Sequence, residues 1–206
     1  MRAFELQLGG AEGSRLVQYD EASRLIDARS QYFLRNGLGE DGGYSDAWVK
    51  IKLGKLPFAF PNLASRRRAV RVHDLHHLLT GYDTDWIGET EISAYEIGAG
   101  CGRYSAAWIL NLSAFFTGPF VKPGRLLAAF RRGRRCRSLY HENYDDALLQ
   151  SRVGEVRERL GLDEPLDAKP TPADWASFAG WWLGSALVAL GSLGLGLLPV
   201  YLRVRL

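Results

Sequence analysis

Cysteine and histidine are rare in this chain, with two and four among 206 residues, and the net charge is only +3. Each shortage excludes something. Cys101 and Cys136 lie far apart and fall into no pattern, so no disulfide framework is expected and a reducing compartment is. The near balance of charge argues against a dedicated nucleic-acid binder. The first residues, Met1-Arg2-Ala3-Phe4-Glu5-Leu6-Gln7, hold no apolar run and meet an acid early, which fits neither a secretory signal nor a transit peptide. Alternating strand patterns are scarce. Charge itself is missing from residues 178–202.

Three of the four histidines fall within five residues, in Val72-His73-Asp74-Leu75-His76-His77. His73 and His77 are four apart, so on a helix they share a face one turn apart. Asp74 sits on the flank of that face. Two imidazoles and a carboxylate in one turn suit a divalent metal such as Zn2+. Gly81 can end this helix in a left-handed cap, and Thr84 or Asp85 can start the next. Antiparallel packing about a bend near Asp83 then brings Glu89 beside His77. The expected ligands are His73, Asp74, His77 and Glu89. Glu96, two turns beyond Glu89, is expected behind them, and His76, at a different angle, is expected to be structural. The pattern is not a zincin, because Asp74 stands where that motif has Glu.

Most of the chain reads as helix. Residues 15–33 have a rough amphipathic pattern, and residues 45–53 read as a short second helix. Pro57 and Pro61 mark a loop. Residues 66–80 and 85–98 form the hairpin just described. In Gly98-Ala99-Gly100-Cys101-Gly102 the glycines follow a helix rather than a strand, which favours a hinge or a close helix contact over a nucleotide loop. Residues 104–121 are apolar and aromatic, a buried helix or the lining of a lipid groove, with Trp108, Phe115 and Phe116 as lipid contacts. Arg131, Arg132, Arg134 and Arg135 follow beside Leu126, Leu127 and Phe130, a basic amphipathic pattern suited to an anionic membrane surface.

Residues 163–174 carry three prolines and read as a linker. Residues 178–202 are long enough to span a bilayer, which takes about 20 residues. Trp181 and Trp182 at one end, and Tyr201, Arg203 and Arg205 at the other, suit its interfaces. Gly180 and Gly184 suit close helix contacts, and a homodimer is allowed for. The expected architecture is all-α: a helical bundle with a metal-binding hairpin over residues 1–165, a Pro-rich linker over 166–177, and an apolar transmembrane segment over 178–202. A hydrophobic helix folded back onto the bundle is the alternative for that segment.

The motif His73-Asp74-x-x-His77 with Glu89 resembles the signature of a coenzyme Q (ubiquinone) biosynthesis family, the fourth of the Coq proteins. The likeness continues through Leu79-Thr80-Gly81-Tyr82-x-Thr84-Asp85, Gly88-Glu89 and Tyr95-Glu96. It takes in Tyr32-Phe33-Leu34-Arg35-Asn36-Gly37-Leu38 upstream and Val156-Arg157-Glu158-Arg159-Leu160-Gly161 downstream. It covers most of residues 14–162. The resemblance implies a membrane-peripheral helical protein that binds zinc through those four side chains. It implies action on a polyprenylated benzoate precursor, by C1 decarboxylation coupled to hydroxylation, or organisation of the quinone-biosynthesis proteins into a complex. The expected location is the cytoplasmic face of an inner membrane, or the matrix side of an organelle. Two other functions compete: a non-enzymatic adaptor binding isoprenoid lipid, and a metal-dependent hydrolase of a lipid phosphate.

Overall fold

The computed structural model describes residues 4–5, 18–53, 56–120, 122–165 and 169–205; side chains are described from 18–49, 59–120, 122–165 and 169–191. Helices dominate. Among the described residues they run α1 (Leu25–Arg35), α2 (Ala64–Thr80), α3 (Trp86–Ala99), α4 (Ser105–Thr117), α5 (Pro123–Arg135), α6 (Asp146–Gln150), α7 (Val153–Leu160) and α8 (Pro172–Arg205).

A small sheet interrupts the helices. Strand β1 (Phe4–Glu5) pairs in parallel with β2 (Trp48–Leu53), which pairs antiparallel with β3 (Leu56–Pro61) in the register Trp48↔Pro61 to Leu53↔Leu56. Two expectations are corrected here. Residues 48–53 are a strand and not a helix, because Val49, Ile51 and Leu53 alternate with Lys50 and Lys52, a period of two that no helix face can use. Residues 56–61 are a strand despite Pro57 and Pro61. With strand order β1-β2-β3, β3 lies at the edge, where a missing backbone N–H is tolerated.

The core is packed from α1, α2, α3, α5 and α7, with Leu25, Phe33, Leu75, Leu79, Ile92, Tyr95, Phe130 and Val156 fully buried. The first helix starts later than residue 15. Its entry is tied to that of α7, since the Leu25 amide donates to Ser151 O and the Val153 amide to Ser23 O, each over 2.9 Å. Helix α3 lies so close to α5 that glycine is required on both sides. A Cβ at Gly98 would stand 2.4 Å from Phe130 O, and one at Gly133 would stand 2.1 Å from Tyr95 O. Gly98 thus makes a close helix contact, one of the two uses its sequence suggested.

The linker is shorter than expected, because α8 begins at Pro172. Thr171 and Asp174 cap it, with the Thr171 amide donating to Asp174 Oδ2 over 3.0 Å. Its first half folds back onto α4. Trp181 stacks on Trp108 at 5.5 Å, Trp182 stacks on Phe116 at 6.0 Å, and Trp182 Nε1 donates to Phe116 O. Among the described residues no helix is long and apolar enough to cross a membrane. The side chains of residues 192–202, the second half of the expected span, lie outside those described.

Candidate metal centre

Helices α2 and α3 position the site. Gly81 closes α2 in the left-handed conformation at φ 79°, and Asp85 opens α3 by accepting the Gly88 amide at 2.7 Å. The turn between them is tight: a Cβ at Gly88 would fall 2.0 Å from Asp83 O. This short connection brings Glu89 over the His73–His77 face.

Three ligand atoms converge. His73 Nε2 lies 3.1 Å from His77 Nε2. Glu89 offers Oε2 at 3.5 Å from His73 Nε2 and Oε1 at 3.4 Å from His77 Nε2. Tetrahedral coordination with bonds of about 2.0–2.1 Å sets ligand atoms about 3.3–3.4 Å apart, so these separations, two of them to different oxygens of Glu89, are of the size that a zinc tetrahedron needs. Among the described residues His73, His77 and Glu89 form a group able to hold a metal ion.

The other face of each ring fixes its tautomer. His73 Nδ1 donates to Glu96 Oε1 at 3.1 Å, and His77 Nδ1 donates to the Tyr82 carbonyl at 3.0 Å. Both Nε2 atoms are left with bare lone pairs facing each other beside a carboxylate. Such an arrangement requires a cation among the three groups, either a proton or a metal. The backing of each histidine by a carboxylate or carbonyl is the usual outer shell of a metal ligand.

The electrostatics follow from this packing. Burial opposes charge on His73, but the carboxylates of Glu96 and Glu89 outweigh it and raise its pKa well above the ordinary histidine value. Burial alone would raise the Glu89 carboxyl, yet His77 and His73 hold it down at about 2. Glu96 is likewise pushed below the carboxylate range by His73 and His76, against its burial.

Glu96 is the hub behind the site. Fully buried, it accepts from His73, from His76 Nδ1 at 2.7 Å, from Tyr140 Oη at 3.0 Å and from Asn111 Nδ2. Glu96, expected behind the ligands, stands 3.1 Å from His73 Nδ1. His76 is also buried, and its Nε2 accepts the Leu139 amide at 3.1 Å. Asp74 departs from the expected ligand set. Its carboxylate turns to accept the Tyr44 hydroxyl at 2.5 Å, beside the three-residue group rather than in it. Burial raises the Asp74 pKa, with His73 and the Tyr44 bond opposing.

Sequence reasoning misses Tyr44, Tyr140 and Asn111, which reach the site from distant segments, and Tyr32, whose ring stacks on His77 at 6.0 Å. No local spacing announces such partners. The carbonyl of Tyr82 was findable, since a chain leaving α2 through a left-handed Gly81 must turn back over its last turn.

The residues expected to contact lipid or membrane lie in different environments. Phe115 is fully buried against Phe130 and Phe178. Trp108 and Phe116 are partly buried, each stacked on a tryptophan of α8. Arg131 is 4% exposed and pairs with Asp174 at 3.1 Å, while Arg132 donates to Thr80 O and Leu162 O and lies over the Tyr82 ring. Long arginine arms reach inward for carbonyls and a carboxylate where the sequence suggested an outward face. Arg134 is half-exposed, 3.7 Å from Asp174, and Arg135 is exposed. Compared with models of protein families, with curated proteins and with solved structures, the chain matches none.

Proposed function

We propose that this chain is a metal-dependent protein of ubiquinone biosynthesis, acting on a prenylated aromatic acid at a Zn2+ or similar divalent ion held by His73, His77 and Glu89. The single observation that carries the metal is the pair of lone-pair-bearing Nε2 atoms 3.1 Å apart, each fixed from behind. The substrate class and pathway rest on the resemblance of the motif and its flanks. Three protein ligands leave a coordination position free, which favours an enzyme over an adaptor with a closed structural site.

A bound divalent ion would supply Lewis-acid polarisation of a carboxylate or phenolate oxygen. The chain does the rest. Glu96 holds His73 in one tautomer and one rotamer. The Tyr82 carbonyl does the same for His77. Asp74, with its raised pKa, is placed to hold or release a proton beside the site, oriented by Tyr44.

The protein is further proposed to work at a membrane surface. Helices α4 and α8 carry no charged residue over 105–117 and 175–202, and Ile109, Leu110, Leu183, Leu187 and Leu190 on them are exposed. Such a face suits lipid better than water.

The test is purification of the full chain with elemental analysis, beside complementation of a quinone-deficient strain. About one zinc per chain is expected, absent from the His77→Ala/Glu89→Ala double variant, with quinone lost in His73→Ala. Stoichiometric metal in the double variant rejects the site; normal quinone in His73→Ala rejects the pathway.

A further inference from the structure

Beside the candidate metal centre lies a second constellation, which shares only Tyr44 with it. A groove of about 340 Å³ is lined by Arg29 and Phe33 of α1, Arg71 of α2, Glu40, Asp41 and Tyr44 of the loop after α1, and Tyr144. Two guanidiniums share it. Among the described residues neither Arg29 nor Arg71 makes a salt bridge, although two carboxylates line the same groove. Aromatic rings hold them instead. Arg71 lies over Tyr44 at 5.3 Å and Tyr144 at 6.0 Å, and Arg29 lies over Phe33 at 5.7 Å while donating from Nη1 to Tyr144 Oη.

Two cations and two carboxylates line the groove, but among the described residues none of them pairs with another across it. Asp41 is committed to its own turn, accepting the amides of Gly43 and Ser45 at 2.9 Å each. Glu40 is exposed at the rim. Arg29 Nε is sealed from solvent, so a ligand in the groove meets this guanidinium through its Nη groups. A guanidinium fork is built for a planar or tetrahedral oxyanion. Tyr44 forms one wall and also donates to Asp74, the neighbour of His73 in the chain.

The geometry points to an anion site in this groove: Arg29 and Arg71 bind a carboxylate or a phosphate monoester, with the rings of Phe33, Tyr44 and Tyr144 framing its organic part. The site extends the function proposed above by holding the charged end of a ligand next to the metal. It stands on the groove residues alone, so it is tested with and without metal.

The experiment is calorimetric titration of the full chain with benzoate and, separately, with inorganic phosphate, on metal-loaded and chelated protein. The stronger of the two probes names the anion. Arg71→Gln, at an exposed position, and Arg29→Gln are each expected to weaken it about tenfold or more, the value of one charge-assisted hydrogen bond. Glu40→Gln should tighten it, and Arg68→Gln, an exposed cation elsewhere on α2, should leave it unchanged. If Arg29→Gln fails to fold, Arg71→Gln still reads the site. Equal affinity in wild type and Arg71→Gln overturns the inference, as does the absence of binding heat for both probes. Binding that vanishes on chelation yet survives Arg71→Gln places the anion on the metal, which overturns this site and leaves the metal centre standing.

Discussion

At the α2–α3 junction every imidazole nitrogen of His73, His76 and His77 faces at least one named polar partner, whereas along α4 and α8 the contacts are mainly ring against ring and either side would accept many substitutes. The first region is polar, buried and directional. The second is free of charge, held by stacking, and open on its outer face. Directional bonds make identity decisive: replacing one atom in the first region leaves a buried partner unsatisfied. Dispersion and apolar burial in the second depend on area and shape, so single changes cost in proportion to what they remove.

The sharpest way to break that contrast is at the backbone beneath the polar region. Gly133→Ala places a Cβ 2.1 Å from Tyr95 O, a main-chain atom that no rotamer change can move. The gain in helix propensity is about 1 kcal/mol, while the overpacking costs more. A net loss of at least about 2 kcal/mol is expected by denaturant unfolding. An unchanged midpoint would show that α3 can shift freely.

Within the polar region, Glu96→Gln should keep the fold's volume yet lower metal affinity by about 10–100-fold, the usual effect of losing a second-sphere carboxylate. Competition with a chromogenic chelator measures it. An unaltered affinity would mean that the tautomer of His73 is set by something else. In the apolar region Trp182→Ala should cost about 2 kcal/mol, less than a fully buried tryptophan because its ring is partly exposed, and should leave metal affinity unchanged. Loss of metal in that variant would merge the two regions into one.

The smallest effect is on pH. In chelated protein the raised pKa of His73 contributes stability that is complete below about pH 6.5 and is lost as pH rises through the folded value. Glu89, lowered to about 2, contributes stability that is present above its ordinary value and lost as pH falls toward 2. The melting temperature of chelated protein should therefore fall on both sides of a plateau between about pH 5 and 6.5. Metal-loaded protein should lose little on the alkaline side, because the ion replaces the proton. A chelated protein that is indifferent to pH between about 7 and 9 would remove the proton from the site.

The hairpin was legible because its signals are local. Gly81 and Asp85 punctuate it, and a spacing of four places His73 and His77 on one face. The reading of residues 45–53 as helix overlooks the alternation of Val49, Ile51 and Leu53 with lysines, which six residues display only faintly. The inward turn of Arg131 and Arg132 was not legible at all: their acceptors, Asp174, Thr80 O and Leu162 O, come from three other segments. Asp74 shows the same limit. Its position in the motif suggests a ligand, but Tyr44, thirty residues earlier, claims its carboxylate.

The bond from the Leu139 amide to His76 Nε2 links a main-chain proton to an imidazole 63 residues away. That proton can exchange with solvent only when His76 releases it, and His76 is held from its other side by Glu96. The exchange rate of a single amide in the segment after α5 thus becomes a clock for the opening of the whole buried network, readable in unlabelled protein without touching a ligand residue.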